Sequence, residues 1–234
     1  MLSWIAAAVV VELFTSQGCS SCPPADALIS QLAKQHANVI PLAFHVDYWD
    51  NAFWHDPFSS HQWTERQVMY VRTFGLNSAY TPQAVVNGTQ QLVGSNAAAM
   101  KAAIDNAARA QAGKLTLDAV REGDAIKATI GGQIPADDEV MLVVFENGIT
   151  THVRGGENMG RTAVDDAIVR KLWRVHPGTI TMPISPAWKN IGVAAFLQNA
   201  KTMAIDAAQS VIPSEAKDLR PPQRKGQAAP GSSF

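Results

Sequence analysis

Over the first half of the chain, short apolar runs alternate with helical periods. In the second half, alternating strand-like segments take over. Val9-Val10-Val11-Glu12-Leu13-Phe14 is almost wholly apolar and rich in β-branched side chains. A run apolar on both faces predicts a central strand of a parallel or mixed sheet. After a loop at 15–18, Ala25, Leu28, Ile29, Leu32 and Ala33 recur at helical spacing. Residues 38–46 predict a second strand, so strand, loop, helix and strand form a βαβ unit.

Residues 47–77 break this pattern. They hold Tyr48, Trp49, Phe53, Trp54, Phe58, Trp63, Tyr70 and Phe74, and predict an insertion with one helix at 61–74. Two strand-like runs at 83–86 and 90–93 flank Asn87-Gly88-Thr89, a strong hairpin signal. Residues 96–111 are alanine-rich and lack Gly and Pro, so they predict a closing helix, with Gly113 as a boundary. Beyond it, strands are expected at 115–120, 125–130, 140–145, 149–153, 179–184 and 191–197, with turns at Gly123 and Gly148. That spacing predicts a β-sandwich-like module. Residues 163–175 fit helix and strand equally. The domains expected are therefore an α/β domain at 9–112 and a β-rich one at 113–212. A polar, Pro- and Gly-rich tail at 213–234 is expected to be disordered.

Composition narrows the class. Of 234 residues, 47% are hydrophobic, enough for a sizeable core, and the net charge of −1 argues against a nucleic-acid partner. No apolar run reaches the ~18–20 residues of a membrane span, which implies a soluble protein. Residues 1–8 end in Ala6-x-Ala8 and fit either the back half of a secretory signal or a buried lead-in to the first strand.

Both cysteines fall in Cys19-Ser20-Ser21-Cys22, at the predicted strand-to-helix junction. Unpaired N–H groups and the helix dipole there stabilise a thiolate. Cys19 is expected to be the exposed, attacking thiol, and Cys22, one turn on, to resolve a mixed disulfide. Pro23 and Pro24 suit a first helical turn, where a missing N–H costs least. Half a zinc site or a structural disulfide gives the same string, but the βαβ context favours redox chemistry.

Thr81-Pro82, just before the strand at 83–86, adds a second element. With it the chain resembles the thioredoxin-like superfamily, over about residues 9–111. The resemblance implies a cis proline opposite the cysteines and a closing hairpin and helix. The chain is closer still to a group of bacterial proteins, commonly exported, with a thioredoxin-like domain and a β-rich extension. The matching strings include 12–26, His45-Val46-Asp47-Tyr48-Trp49-Asp50, Tyr80-Thr81-Pro82-Gln83 and Gly156-Glu157-Asn158-x-Gly160-Arg161-Thr162. Two features depart from a minimal thioredoxin: the insertion, and Gly18 where a Trp usually precedes the first cysteine.

The resemblance implies a thiol–disulfide oxidoreductase, periplasmic or secreted, with the cytoplasm as the alternative. Cys19, Cys22 and Pro82 would form the catalytic set, and Thr81, Trp49 and Gln17 the substrate edge. The partner would be a protein or small thiol or disulfide, with no organic cofactor and no resident metal. The alternatives are a Cu(I) carrier using both cysteines, with His45 as a further ligand, and a binding module with a structural disulfide. Glu12 could relay a proton to Cys22 or simply find a partner, and the second reading is preferred. His45 is read chiefly as a hydrogen-bonded structural residue. Trp49, Trp54 and Trp63 would line a groove or form a local core. Arg161 would cross to the first domain or pair within its own.

Overall fold

The computed structural model describes residues 8–35, 38–110 and 113–215. The expectations for residues 1–7, for the end of the closing helix at 111–112 and for most of the tail, 216–234, lie outside those residues. The first half contains β1 (Val9–Thr15), α1 (Pro23–Gln35), β2 (Val39–His45), α2 (His61–Thr73), β3 (Gln83–Val86), β4 (Gln90–Val93) and α3 (Ala97–Ala110). The second contains β5 (Leu115–Glu122), β6 (Ala125–Gly132), β7 (Asp138–Glu146), β8 (Ile149–His152), β9 (Thr162–Asp165), β10 (Ile168–Val175), β11 (Gly178–Pro183), β12 (Ile191–Asn199), β13 (Ile205–Val211) and β14 (Ser214–Glu215).

Every residue of β1 is buried, as an all-apolar central strand requires. It pairs in parallel with β2 and antiparallel with β3, which continues to β4. Side chains alternate along β1, so Glu12 and Phe14 share the face covered by α2, where Phe14 stacks on Phe44 and meets Tyr70 edge-on. Leu13 and Thr15 lie on the opposite face, and Thr15 is bonded to Asp26 of α1. Ser60 caps α2, accepting the Gln62 N–H at 3.3 Å.

The second half is β-rich, but its strands do not all form a layer of their own. β7, β10, β12 and β13 extend the first sheet into one eight-stranded mixed sheet, in the order β13-β12-β7-β10-β2-β1-β3-β4. The junction is parallel: Ile168 lies opposite Ala43, whose N–H donates to Ala167 O at 2.8 Å. β2 is apolar on both faces, so its outer edge is better paired than left to solvent. β11, β6, β5 and β14 form a separate four-stranded sheet. It packs on the β7–β12–β13 part of the large one through Leu117, Ile126, Ile130, Leu142, Val193 and Leu197. A second core joins both halves, running from Val10 and Phe44 to Phe145, Val169 and Phe196. The ambiguous stretch 163–175 resolves into β9 and β10, separated at Ala167, which takes a left-handed φ of 59°.

Candidate functional site

β1 delivers the chain to a tight loop at the end of the sheet. The Cys19 N–H donates to Ser16 O at 3.1 Å, and the Ala25 N–H to Cys22 O at 2.8 Å, starting the helical ladder of α1. Pro23 and Pro24 fill its first turn, as their missing N–H predicts. Cys19 and Cys22 are joined in a disulfide with their Cα atoms 5.4 Å apart. Thr81–Pro82 is cis, as the resemblance implies. Two contacts tie it to the cysteine loop. The Ser21 hydroxyl lies 3.3 Å from Cys19 Sγ and 3.4 Å from Thr81 O, and Trp49 Nε1 donates to Thr81 Oγ1 at 2.8 Å. Cys19, Cys22, Thr81, Pro82 and Trp49 therefore meet in one place.

Gly18 explains the missing tryptophan. A Cβ there would lie 3.2 Å from Trp49 Cβ and 3.3 Å from its carbonyl oxygen. The bare backbone lets Trp49 of the insertion sit against the loop, so an aromatic reaches the site from elsewhere in the chain. Trp63 instead packs into the core against Phe44.

The expectation that Cys19 is the exposed thiol concerns the reduced protein, and the structure holds the disulfide. In the disulfide state both cysteines are fully buried. The loop between β8 and β9 is bonded to the cysteine loop. Asn158 Nδ2 donates to Gln17 O at 3.0 Å and to Cys19 O at 2.8 Å. Glu157 Oε2 accepts the Ser20 N–H at 3.1 Å, and hydrogen bonds from the Ser20 side chain and then its backbone hold the Glu157 carboxyl below the usual range. Gly155 and Gly156 allow this approach: a Cβ on Gly155 would stand 2.1 Å from Phe53 O, and Gly156 has φ +72°. The crossing from the β-rich half is thus made by Glu157 and Asn158. Among the described residues the Arg161 side chain forms no hydrogen bond or ion pair, and it borders a small cavity.

Beneath the loop lies a polar cluster that the sequence reading did not assemble. His45 Nδ1 is 2.8 Å from Asp56 Oδ2, which also accepts the Gln17 N–H at 2.8 Å. Gln17 Nε2 donates to Asp165 Oδ2 at 2.8 Å, and Thr15 Oγ1 to Asp26 Oδ1 at 2.6 Å. Gln17, assigned above to a substrate edge, is buried between these carboxylates and lines the small cavity that Arg161 borders. Burial pushes the Asp26 carboxyl up to about 7; the Thr15 hydrogen bond opposes this and the Asp165 charge adds to it. Burial pulls His45 down, but the Asp56 carboxylate outweighs it and leaves the imidazole at about 9. Burial likewise raises Asp165, against His45 and Gln17. Asp26, Asp165, Gln17, Asn158 and Arg161 line a cavity of about 160 Å³ between the first turn of α1 and β9. The signal for this cluster was the string 12–26, which contains Asp26, but Asp56 and Asp165 are distant in sequence.

Glu12 lies apart from this cluster, on the α2 face. Its carboxylate takes Arg66 Nε at 2.6 Å and the Tyr70 hydroxyl, and Arg66 also donates to Gln198 Oε1 at 3.1 Å. This agrees with the structural reading of Glu12. Among the described residues, no group of three or more His, Cys, Asp or Glu side chains is placed to hold a metal ion.

Together these observations define an α/β protein whose large mixed sheet presents a disulfide at a strand-to-helix turn, closed by a loop from its β-rich half. Residues 10–198 match the profile of a family described as protein of unknown function (DUF1223), and the chain belongs to that family. A crystal structure of a protein from Agrobacterium tumefaciens is 32% identical over 91% of this chain and 97% of that one, with a TM-score of 0.72. HBP35 of Porphyromonas gingivalis shares the fold at 17% identity, over 97% of this chain and 81% of that one, with a TM-score of 0.64. No curated protein matches the sequence.

Proposed function

We propose that this protein is a thiol–disulfide oxidoreductase. Cys19 would exchange with a substrate thiol or disulfide, and Cys22 would resolve the mixed disulfide. The observation that carries the reading is the meeting of the Cys19–Cys22 disulfide with the cis Thr81–Pro82 segment, through Ser21 and Trp49. The reading includes a thioredoxin-like arrangement over residues 9–112, supported by the parallel β1–β2 pair, the cysteines at the start of α1 and the β3–β4 hairpin. A β-rich unit at 113–212 would supply the covering loop. A disulfide also suits an exported location, because such bonds persist in oxidising compartments. Among the described residues, no helix is long and apolar enough to cross a membrane.

One observation favours a second reading, a binding module with a structural disulfide: both cysteines are fully buried under Asn158. The copper reading has less support, because His45 Nδ1 is turned to Asp56.

Trapping separates the two. Reduced Cys22→Ser protein, offered a disulfide-bearing protein, should accumulate a mixed disulfide through Cys19, and Cys19→Ser should accumulate far less. If neither variant traps a partner and the pair resists reduction until the protein unfolds, the structural reading replaces the redox one.

A further inference from the structure

Beside the disulfide loop runs an open cleft of about 550 Å³, distinct from the smaller cavity lined by Asp26 and Asp165. One wall is the insertion, with Trp49 and Phe53. The other is the β8–β9 loop, with Arg154, Glu157 and Met159, and Gly18 forms part of the floor. Two large apolar side chains on opposite walls stand in solvent: Phe53 is 86% exposed and Met159 71%. Two exposed apolar side chains lining one cleft with polar neighbours offer a surface that a partner could cover. The cleft has two charged groups. Glu157 is engaged by the Ser20 N–H, whereas Arg154 is exposed and forms no ion pair among the described residues.

We propose that this cleft docks an extended, unfolded polypeptide beside its cysteine, with an apolar side chain between Phe53 and Met159 and a carboxylate on Arg154. The proposal rests on the redox reading and names its substrate class. A polypeptide fits better than a small molecule, because a site of this kind buries ~70–90% of a small ligand and these walls are largely exposed. The free guanidinium selects an acidic neighbour, since arginine recognises carboxylates through paired hydrogen bonds. Arg154, Glu157 and Met159 belong to the loop that covers Cys19. An occupant wedged against Phe53 therefore moves that loop aside and brings its own sulfur to the disulfide. With a dithiol peptide the exchange balances. The peptide thiolate bonds to Cys19 Sγ as the Cys19–Cys22 bond breaks, and the electron pair leaves on Cys22. The second peptide thiol, after losing its proton, attacks the mixed disulfide. The peptide leaves oxidised, and the protein becomes the dithiol.

The test is the rate of reduction of the oxidised full chain by three dithiols. One is a twelve-residue peptide with Phe and Asp flanking its cysteines, one is the same peptide with Ser and Lys at those positions, and one is dithiothreitol. The Phe/Asp peptide should react at least tenfold faster than the Ser/Lys one. Its rate relative to dithiothreitol should fall about tenfold in Phe53→Ala and in Arg154→Glu. In Arg154→Glu a fourth dithiol, the same peptide with Phe and Lys at those positions, should react faster than the Phe/Asp one. Reaction with all three dithiols without preference sinks the docking proposal and leaves the redox reading standing. Failure of the folded protein to exchange with any of them sinks both.

Discussion

At the residue scale, the buried charges set the pH response. Asp26, raised to about 7, keeps a proton in the folded state that the unfolded chain has released above about 4. Its contribution to stability therefore falls as pH rises from about 4 to 7, and then levels off. His45, raised to about 9, contributes fully below its unfolded value near 6.5, and that contribution is lost as pH rises through 9. The two act in the same direction, so the thermal midpoint should decline between pH 5 and 9. Asp26→Asn keeps an acceptor for Thr15 and removes the buried charge. It should flatten the acidic part of that slope and stabilise the protein by ~2 kcal/mol at pH 8, read from denaturant melts at several pH values. The Glu12–Arg66 pair makes a different prediction. Arg66→Met leaves a carboxylate buried at 0% exposure and should cost ~3–5 kcal/mol. Glu12→Leu combined with it should recover most of the loss, since apolar replacement of a whole buried pair is often neutral. A double variant no more stable than Arg66→Met alone would show that the pair does more than find partners for its charges.

At the scale of elements, the β8–β9 loop governs access to the disulfide. Its hold on the cysteine loop consists of the two Asn158 hydrogen bonds and the Glu157–Ser20 contact. Asn158→Ala removes both donors and leaves the Gln17 carbonyl without its hydrogen bond, while Cys19 O keeps the Cys22 N–H at 3.2 Å, a local cost of ~1–3 kcal/mol. The loop should open more often, and reduction by dithiothreitol should accelerate about tenfold or more with little change in secondary structure. Gly155→Ala should act in the same direction by a different cause, because its Cβ would meet the Phe53 carbonyl oxygen. Unchanged reduction rates in both variants would mean that the loop does not limit access.

At the scale of the whole molecule, the two halves share a sheet and a core. β10 hydrogen-bonds to β2, Arg66 of α2 reaches Gln198 of β12, and Gln17 reaches Asp165 of β9. Cutting the chain near residue 112 would expose the β2 edge and strip partners from two buried charged networks. The full chain is therefore expected to unfold in a single transition, with far-UV circular dichroism and tryptophan fluorescence superimposing. Two resolved transitions would show instead that residues 9–112 and 113–212 are independent folding units.

Local chemistry alone determined a good deal. The all-apolar run at 9–14, the helical period after Ala25, the Asn87-Gly88 turn and the prolines behind Cys22 each prescribe their element through backbone sterics and side-chain period. Those signals placed β1, α1, the β3–β4 hairpin and the cysteines correctly. Only the tertiary structure decided which strands share a sheet. A strand pattern encodes faces but not neighbours, so the joining of β10 to β2 was invisible. The alanine-rich β13 carried too little apolar contrast to be read as a strand. The same holds at the site. Asp56, Asp165 and Asn158 come to the cysteine loop from 34 to 143 residues further along the chain, and no local spacing encodes such a meeting. The burial of both cysteines in the disulfide state has the same character, since the loop bonded to Cys19 O is brought there only by the packing of the two halves.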